Sequence, residues 1–414
     1  MPDVHAVQRT RLPSGVRVLT ETIPSARSVA VGAWVQVGSR DETERQAGIT
    51  HFIEHMVFKG TERRRGYLIN QRMESVGGYL NAFTSKDHTC FYARGLEEHL
   101  GRALDTVLDL VTAPTLPERE IEKEKDVVVE EIKMYEDAPE DRVFDLYEEA
   151  VYGVHPLGRP VIGTVESVRS FSRDDLARYL SGHYVPNRLV VTAAGAIDHS
   201  DVIRRVEAML DGFDRAPAEL ARTAPPPVAP TTRIVESPAT QQAHLVVGAQ
   251  TFGAHDRRRA ALSVLNTVLG GGMSSRLNQN IREKYGFCYS VYSFVNTQTD
   301  SGDAGVYIAV DASRRERAEA LVVRELGKLA EKPVSARMLS RAKQQLKGSV
   351  VMGLESLSNR MQRLGRIELT YGRHVPIEQA LDELVAVTAE DIQTVAAEVF
   401  APERLSRIAL VPPA

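Results

Sequence analysis

His51-Phe52-Ile53-Glu54-His55 sets two imidazoles and a carboxylate close together in one short run of the chain. The flanking residues, Gln46 to Phe58, carry apolar side chains at roughly helical spacing, with no proline and no break after Gly48. A helix here puts His51 and His55 one turn apart on one face, so both rings reach a single ion, with Glu54 carried beside them. The order is His-x-x-Glu-His, the inverse of the commoner zincin motif. The carboxylate in such an arrangement is placed to take a proton from the attacking water, which is the chemistry of metal-assisted hydrolysis.

Catalytic zinc generally takes three protein ligands and keeps a fourth position open. The richest source of a third ligand is Leu116 to Asp137, with Glu118, Glu120, Glu122, Glu124, Glu130, Glu131 and Glu136. Composition does not choose among these acids, and most of such a charge run lies on a solvated helix face.

Three segments narrow the choice: His51 to Thr61, Gly77 to Thr84 and Asp126 to Met134. Together they resemble the catalytic half of the pitrilysin or insulinase family, in the manner of its mitochondrial-processing-peptidase branch and bacterial relatives. That resemblance implies a zinc metalloendopeptidase with one Zn2+ per chain. The family's third ligand is a glutamate 76 residues after the second histidine, which falls on Glu131. A further family acid lies seven residues earlier, at Glu124, with a role in orienting a ligand. Asn81 and Ala82 match a substrate-binding edge strand, on which an extended peptide is held through backbone groups. Phe58 resembles a wall of the pocket after the scissile bond. Asp141 and Asp145 match positions where processing peptidases hold acids that read a substrate arginine.

The resemblance also assigns a task to the second half of the chain. Arg282 and Tyr289, seven apart, match a pair that binds the substrate backbone and stabilises the oxyanion when a clamshell closes; a guanidinium and a phenol are suitable donors there. Long-chain members of the family hold four such domains and this chain two, so a closed chamber calls for a second subunit. A homodimer with Arg282 and Tyr289 acting in trans is the expectation, with oligopeptides or extended presequence-like segments as substrates. The alternative is a catalytic or structural subunit that works only beside a different, non-metal partner.

Composition fits a globular enzyme: 414 residues, 43% hydrophobic and 26% charged. A net charge of −4 and a pI near 6.3 argue against a nucleic-acid partner. Two cysteines, Cys90 and Cys288, make no disulfide framework and suit a reducing compartment. No run approaches the length of a membrane span, and Met1 to Leu12 has no apolar signal core. A cytoplasmic, bacterial-type enzyme is the expectation.

The elements that position these residues repeat. Ser172 to Leu176 and Tyr184 to Leu189 recur as Thr388 to Ile392 and Phe400 to Leu405, both at an offset of 216 residues. Tyr152-Gly153-Val154-His155 echoes Tyr371-Gly372-Arg373-His374 slightly out of register. Between the copies lies a proline-rich stretch. The organisation expected is a catalytic domain over 1-215, a linker over 216-232, and a second, non-metal domain over 233-414. Strands and helices segregate within each copy, which predicts α+β, each domain a largely antiparallel sheet covered by helices. The second copy has no His-x-x-Glu-His; its Leu269 to Leu277 glycine run lacks a nucleotide fingerprint and reads as a helix break with a new cap at Ser274 or Ser275. Ser335 to Thr370 reads as one long helix.

Overall fold

The computed structural model describes residues 7–286 and 288–413; the first residues of the segment read as lacking a signal core, and Phe287 beside Tyr289, lie outside them. Among the described residues no helix is long and apolar enough to cross a membrane.

The chain forms two compact units, and neither is a continuous stretch. The first comprises the chain up to Ile132, then Pro160–Arg222 and Met352–His374; the second comprises Lys133–Arg159, Thr223–Val351 and the chain from Val375. The linear partition 1-215, 216-232, 233-414 follows the sequence repeat, whereas compactness cuts the chain elsewhere, because each half sends one helix into the other unit.

The first unit is built on six strands: β1 (Val7–Arg11), β2 (Arg17–Thr22), β3 (Ser28–Val35), β4 (Tyr79–Thr84), β5 (Thr89–Leu96) and β6 (Leu189–Gly195), in the spatial order β1-β2-β6-β3-β5-β4. The second carries β7 (Thr232–Glu236), β8 (Gln242–Phe252), β9 (Cys288–Thr297), β10 (Ser301–Asp311) and β11 (Ser406–Val411), in the order β7-β11-β8-β10-β9. Apart from β1, the two sheets match strand for strand. Each contains one parallel pair, β2 with β6 and β7 with β11, and is otherwise antiparallel.

The repeat is equally visible in local chemistry. Ser172 and Thr388, at the 216-residue offset, both cap helices through a reciprocal box, with Asp175 and Asp391 at the third helical position. The Tyr-Gly echo marks the two exchanged helices. Pro139–Tyr152 and Leu357–Tyr371 both stop at a glycine of positive φ, Gly153 at 57° and Gly372 at 63°.

In the first unit, one face of the sheet packs on helices from the first half of the chain, including Ile49–Val57 and Leu100–Thr112. The other face is closed by Leu357–Tyr371, whose Met361, Leu364 and Leu369 bury Leu19, Ala30, Trp34 and Cys90. Pro139–Tyr152 does the same for the second sheet, with Val143, Leu146, Tyr147 and Val151 against Val246, Tyr307 and Ile408. The long helix expected over Ser335 to Thr370 is therefore two, Ala336–Gly353 and Leu357–Tyr371. They are separated by a break at which Ser356 caps the second through the Asn359 amide, and the break is where the chain crosses from one unit to the other.

The exchanged helix lies against β3 at a glycine. A Cβ on Gly365 would fall 2.2 Å from Trp34 Cε2. Replacing glycine by alanine inside a helix gains about 1 kcal/mol of propensity, but overpacking a buried contact costs about 1–3 kcal/mol, so the clash decides the sign. Gly365→Ala is expected to lower the thermal midpoint. Gly327→Ala, in the helix Arg315–Glu331 with nothing within 4 Å of its added Cβ, is expected to raise it.

Candidate metal centre

The helix Ile49–Val57 owes its position to Gly48 and Glu42. Gly48 has φ 87°, and a Cβ there would meet the Ile162 carbonyl oxygen at 2.4 Å, so only glycine is accommodated. The buried Glu42 carboxylate accepts from the amides of Gly48 and Thr50, both at 2.8 Å, satisfying donors that a helix start leaves open. Ile49, Phe52, Ile53, Met56 and Val57 are buried, which leaves His51, Glu54 and His55 half-buried on the opposite face.

That face meets the helix Glu118–Glu136. His51, His55 and Glu131 converge: one potential ligand atom from each lies within 4.8 Å of the other two. His55 Nε2 is 3.6 Å from Glu131 Oε2, close to the roughly 3.4 Å that separates two ligands each about 2.1 Å from a tetrahedral ion. On the far side of the same ring, Nδ1 is 2.9 Å from Glu124 Oε1. A carboxylate only accepts, so Nδ1 carries the proton and the Nε2 lone pair is directed to the Glu131 side. The other Glu124 oxygen is 2.5 Å from Lys59 Nζ. The seven-residue spacing of Glu124 and Glu131 thus serves both nitrogens of one imidazole.

Charge follows geometry. Burial, then the neighbouring His55, pushes His51 down to about 3, so its ring is neutral as a ligand must be, and its Nδ1 is a buried atom without a hydrogen-bond partner. Burial pulls His55 down, but the Glu124 bond and the charges of Glu131, Glu124 and Glu54 outweigh it and raise its pKa. Burial raises Glu124, yet the bonds from His55 and Lys59 bring it below its ordinary value. Glu54 is raised by burial and accepts from Thr84 Oγ1 at 2.6 Å. One neutral imidazole, one imidazole of fixed tautomer and one carboxylate make a His2Glu donor set that fits zinc. Glu124→Gln keeps the shape and removes the charge behind His55; zinc affinity, measured by chelator competition, is expected to fall about 10- to 100-fold.

The other expected residues fall in several places. Asn81 and Ala82 lie on β4, the edge strand of the first sheet, where the Ala82 amide is taken by Asn81 Oδ1 at 2.8 Å. Phe58 ends the motif helix and packs, half-buried, on the first core. Asp141 and Asp145 sit on the exchanged helix Pro139–Tyr152 and belong to the second unit, where Asp141 acts on Tyr292 and Tyr307. Arg282 and Tyr289 also belong to the second unit and are neighbours, the guanidinium 5.6 Å from the phenol ring; Tyr289 is 85% exposed. Arg282 falls within a π-turn, Asn278–Glu283, a helix irregularity frequent at functional sites. Ser275 precedes the helical residues that follow the glycine run and bonds the Asn278 side chain at 3.3 Å. Sequence reasoning missed Thr84 and Lys59 as parts of the centre. Both stand in quoted motifs, but nothing in their spacing announces a contact with Glu54 or Glu124.

Comparison with known proteins gives the family. The family model described as Insulinase (Peptidase family M16) matches residues 17–165, and that described as Peptidase M16 inactive domain matches 170–346. A zinc protease of Bacillus subtilis, described as uncharacterized, is 40% identical over 95% of this chain and 96% of its own length. The chain belongs to the insulinase family. Another family member described in the same words, from Streptomyces coelicolor, is 41% identical, over 96% of this chain and 88% of that one. Two solved structures share the fold. A peptidase M16 inactive domain from Pseudomonas fluorescens superposes with a TM-score of 0.92 at 20% identity, over 99% of this chain and 98% of that one. A protease from Helicobacter pylori gives 0.89 at 21%, over 99% and 100%. His51, His55 and Glu131 all fall within the first matched segment, and the second matched segment starts inside the first copy of the repeat, before Ser172.

Proposed function

We propose that this insulinase-family chain is a zinc-dependent endopeptidase that hydrolyses oligopeptides or extended presequence-like segments inside a clamshell chamber, with one Zn2+ per chain. The observation that carries the reading is the convergence of His51, His55 and Glu131 beside a Glu54 held by Thr84. Zinc bound there supplies Lewis-acid polarisation of the scissile carbonyl. Glu124 fixes the His55 tautomer, and His51 offers a neutral ring. Glu54, with Oε2 held by Thr84, takes the proton of the attacking water on its other oxygen and delivers it to the leaving amine. An extended peptide lies along β4, where Asn81 yields the Ala82 amide to it, and Phe58 walls the pocket beyond the scissile bond. Asp141 and Asp145 give a taste for arginine near the cleavage site.

Arg282 and Tyr289 complete the site in trans within a homodimer, donating to the carbonyl oxygen as it gains charge. The buried free thiols of Cys90 and Cys288 suit a cytoplasmic setting. Cleavage of a quenched, arginine-containing peptide by the zinc-loaded protein purified alone tests the reading; stoichiometric zinc with no cleavage would point to a subunit that needs a different partner. The trans arrangement has its own test. Mixing Glu54→Gln and Tyr289→Phe chains is expected to restore activity above either alone, and no gain after verified subunit exchange would sink it.

A further inference from the structure

We infer that Thr84 couples occupation of β4 by the substrate to alignment of Glu54, so that the enzyme is built to turn over peptides long enough to add a strand; the inference rests on the endopeptidase reading above. Thr84 is the last residue of the edge strand β4 and donates to Glu54 Oε2 at 2.6 Å. The short bond reaches from strand to helix, since Glu54 is on Ile49–Val57. The side chains of Ala82 and Thr84 share one face of β4, and Ala82 packs on the core that contains the motif helix. Thr84 is also anchored on its other side. It pairs with Thr89 on β5, and Thr89 Oγ1 in turn donates to the Val37 carbonyl at 3.0 Å.

The middle of β4 pairs with β5 on one side and is open on the other. On its open side the Ala82 amide is satisfied only by the exposed Asn81 side chain, at 2.8 Å. A peptide that adds to this edge exchanges that local bond for a ladder, which stiffens β4 two residues before Thr84 and so narrows the positions its hydroxyl can take. A substrate too short to form the ladder reaches the metal ligands but leaves the strand, and with it the base, less fixed. Binding energy collected along β4 is thereby spent on the chemical step, so length appears in kcat and not only in KM.

The experiment compares a long and a short quenched peptide of the same scissile sequence, on the zinc-loaded wild type, Thr84→Val and Thr84→Ser. The wild type is expected to show a higher kcat on the long peptide. Thr84→Val is expected to keep its zinc content and its KM for the long peptide, to lose about 10-fold or more in kcat, and to level the kcat of the two peptides. Thr84→Ser restores the hydroxyl and is expected to restore both the rate and the length effect. A crystal structure of Thr84→Val with Glu54 in an altered rotamer would support the coupling independently of turnover. An unchanged kcat in Thr84→Val, or a length effect that survives the loss of the hydroxyl, overturns it. Failure of the wild type to cleave either peptide would instead count against the endopeptidase reading itself.

Discussion

Glu54→Gln is expected to bind one zinc per chain with near wild-type affinity and to lose peptide cleavage by about a hundred- to ten-thousand-fold, the range that a positioned general base supplies. The reasoning separates two roles that the pentapeptide combines. Glu54 shares the polar face of Ile49–Val57 with the two histidines, yet it is absent from the group whose ligand atoms converge, which is His51, His55 and Glu131. Its carboxylate is instead engaged by Thr84. Glutamine is isosteric and still accepts from the Thr84 hydroxyl, so the helix, the ligands and the strand contact all survive; only the capacity to take a proton goes. The measurement is kcat with zinc content determined on the same preparation. Full activity in the zinc-loaded variant would remove Glu54 from the proton transfer, and loss of zinc would make it a ligand.

Glu131→Gln is expected to fail one step earlier, at the metal. Glu131 is the only carboxylate in the converging group, so the variant loses the charge that offsets the ion and a ligand that the two imidazoles do not replace. Zinc affinity should fall by more than the about 10- to 100-fold expected of an outer partner such as Glu124. A ligand that binds only the folded state stabilises it, by about 2.7 kcal/mol at a hundred times its Kd. Zinc added to the wild-type apoprotein should therefore raise its thermal midpoint, and the same concentration should leave Glu131→Gln nearly unmoved. Equal zinc-induced shifts in the two proteins would place the third ligand elsewhere.

What was legible in the sequence tracks how local each interaction is. His51, Glu54 and His55 sit on one helix, and helical periodicity alone puts them on one face. Glu131 is different, since seven glutamates compete within one stretch and only the family spacing singles it out. Thr84 lies thirty residues from Glu54, on a strand whose approach to the motif helix is a tertiary fact. The duplication was readable because its caps are chemical, Ser172 with Asp175 and Thr388 with Asp391. The exchange of helices was not. Periodicity runs on through residues 335–370, and the break that Ser356 caps holds no proline; Gly353 and the capping serine are its signals, and both residue types also occur inside helices. Asp141 and Asp145 show the same limit, as matching a family position fixes their place on a helix but not the unit to which that helix is given.

The exchanged helices also determine what would happen if the chain were cut. Severing the backbone between residues 223 and 230 leaves one piece that lacks Leu357–Tyr371, the cover of its own Trp34 layer, and another that lacks Pro139–Tyr152, the cover of its Tyr307 layer. Each piece would then hold the missing lid of the other. Separation would lay bare two sheet faces at once, at about 1.5–3 kcal/mol for each large apolar side chain uncovered. The nicked molecule is therefore clasped without a covalent link, and its halves should melt together rather than in turn.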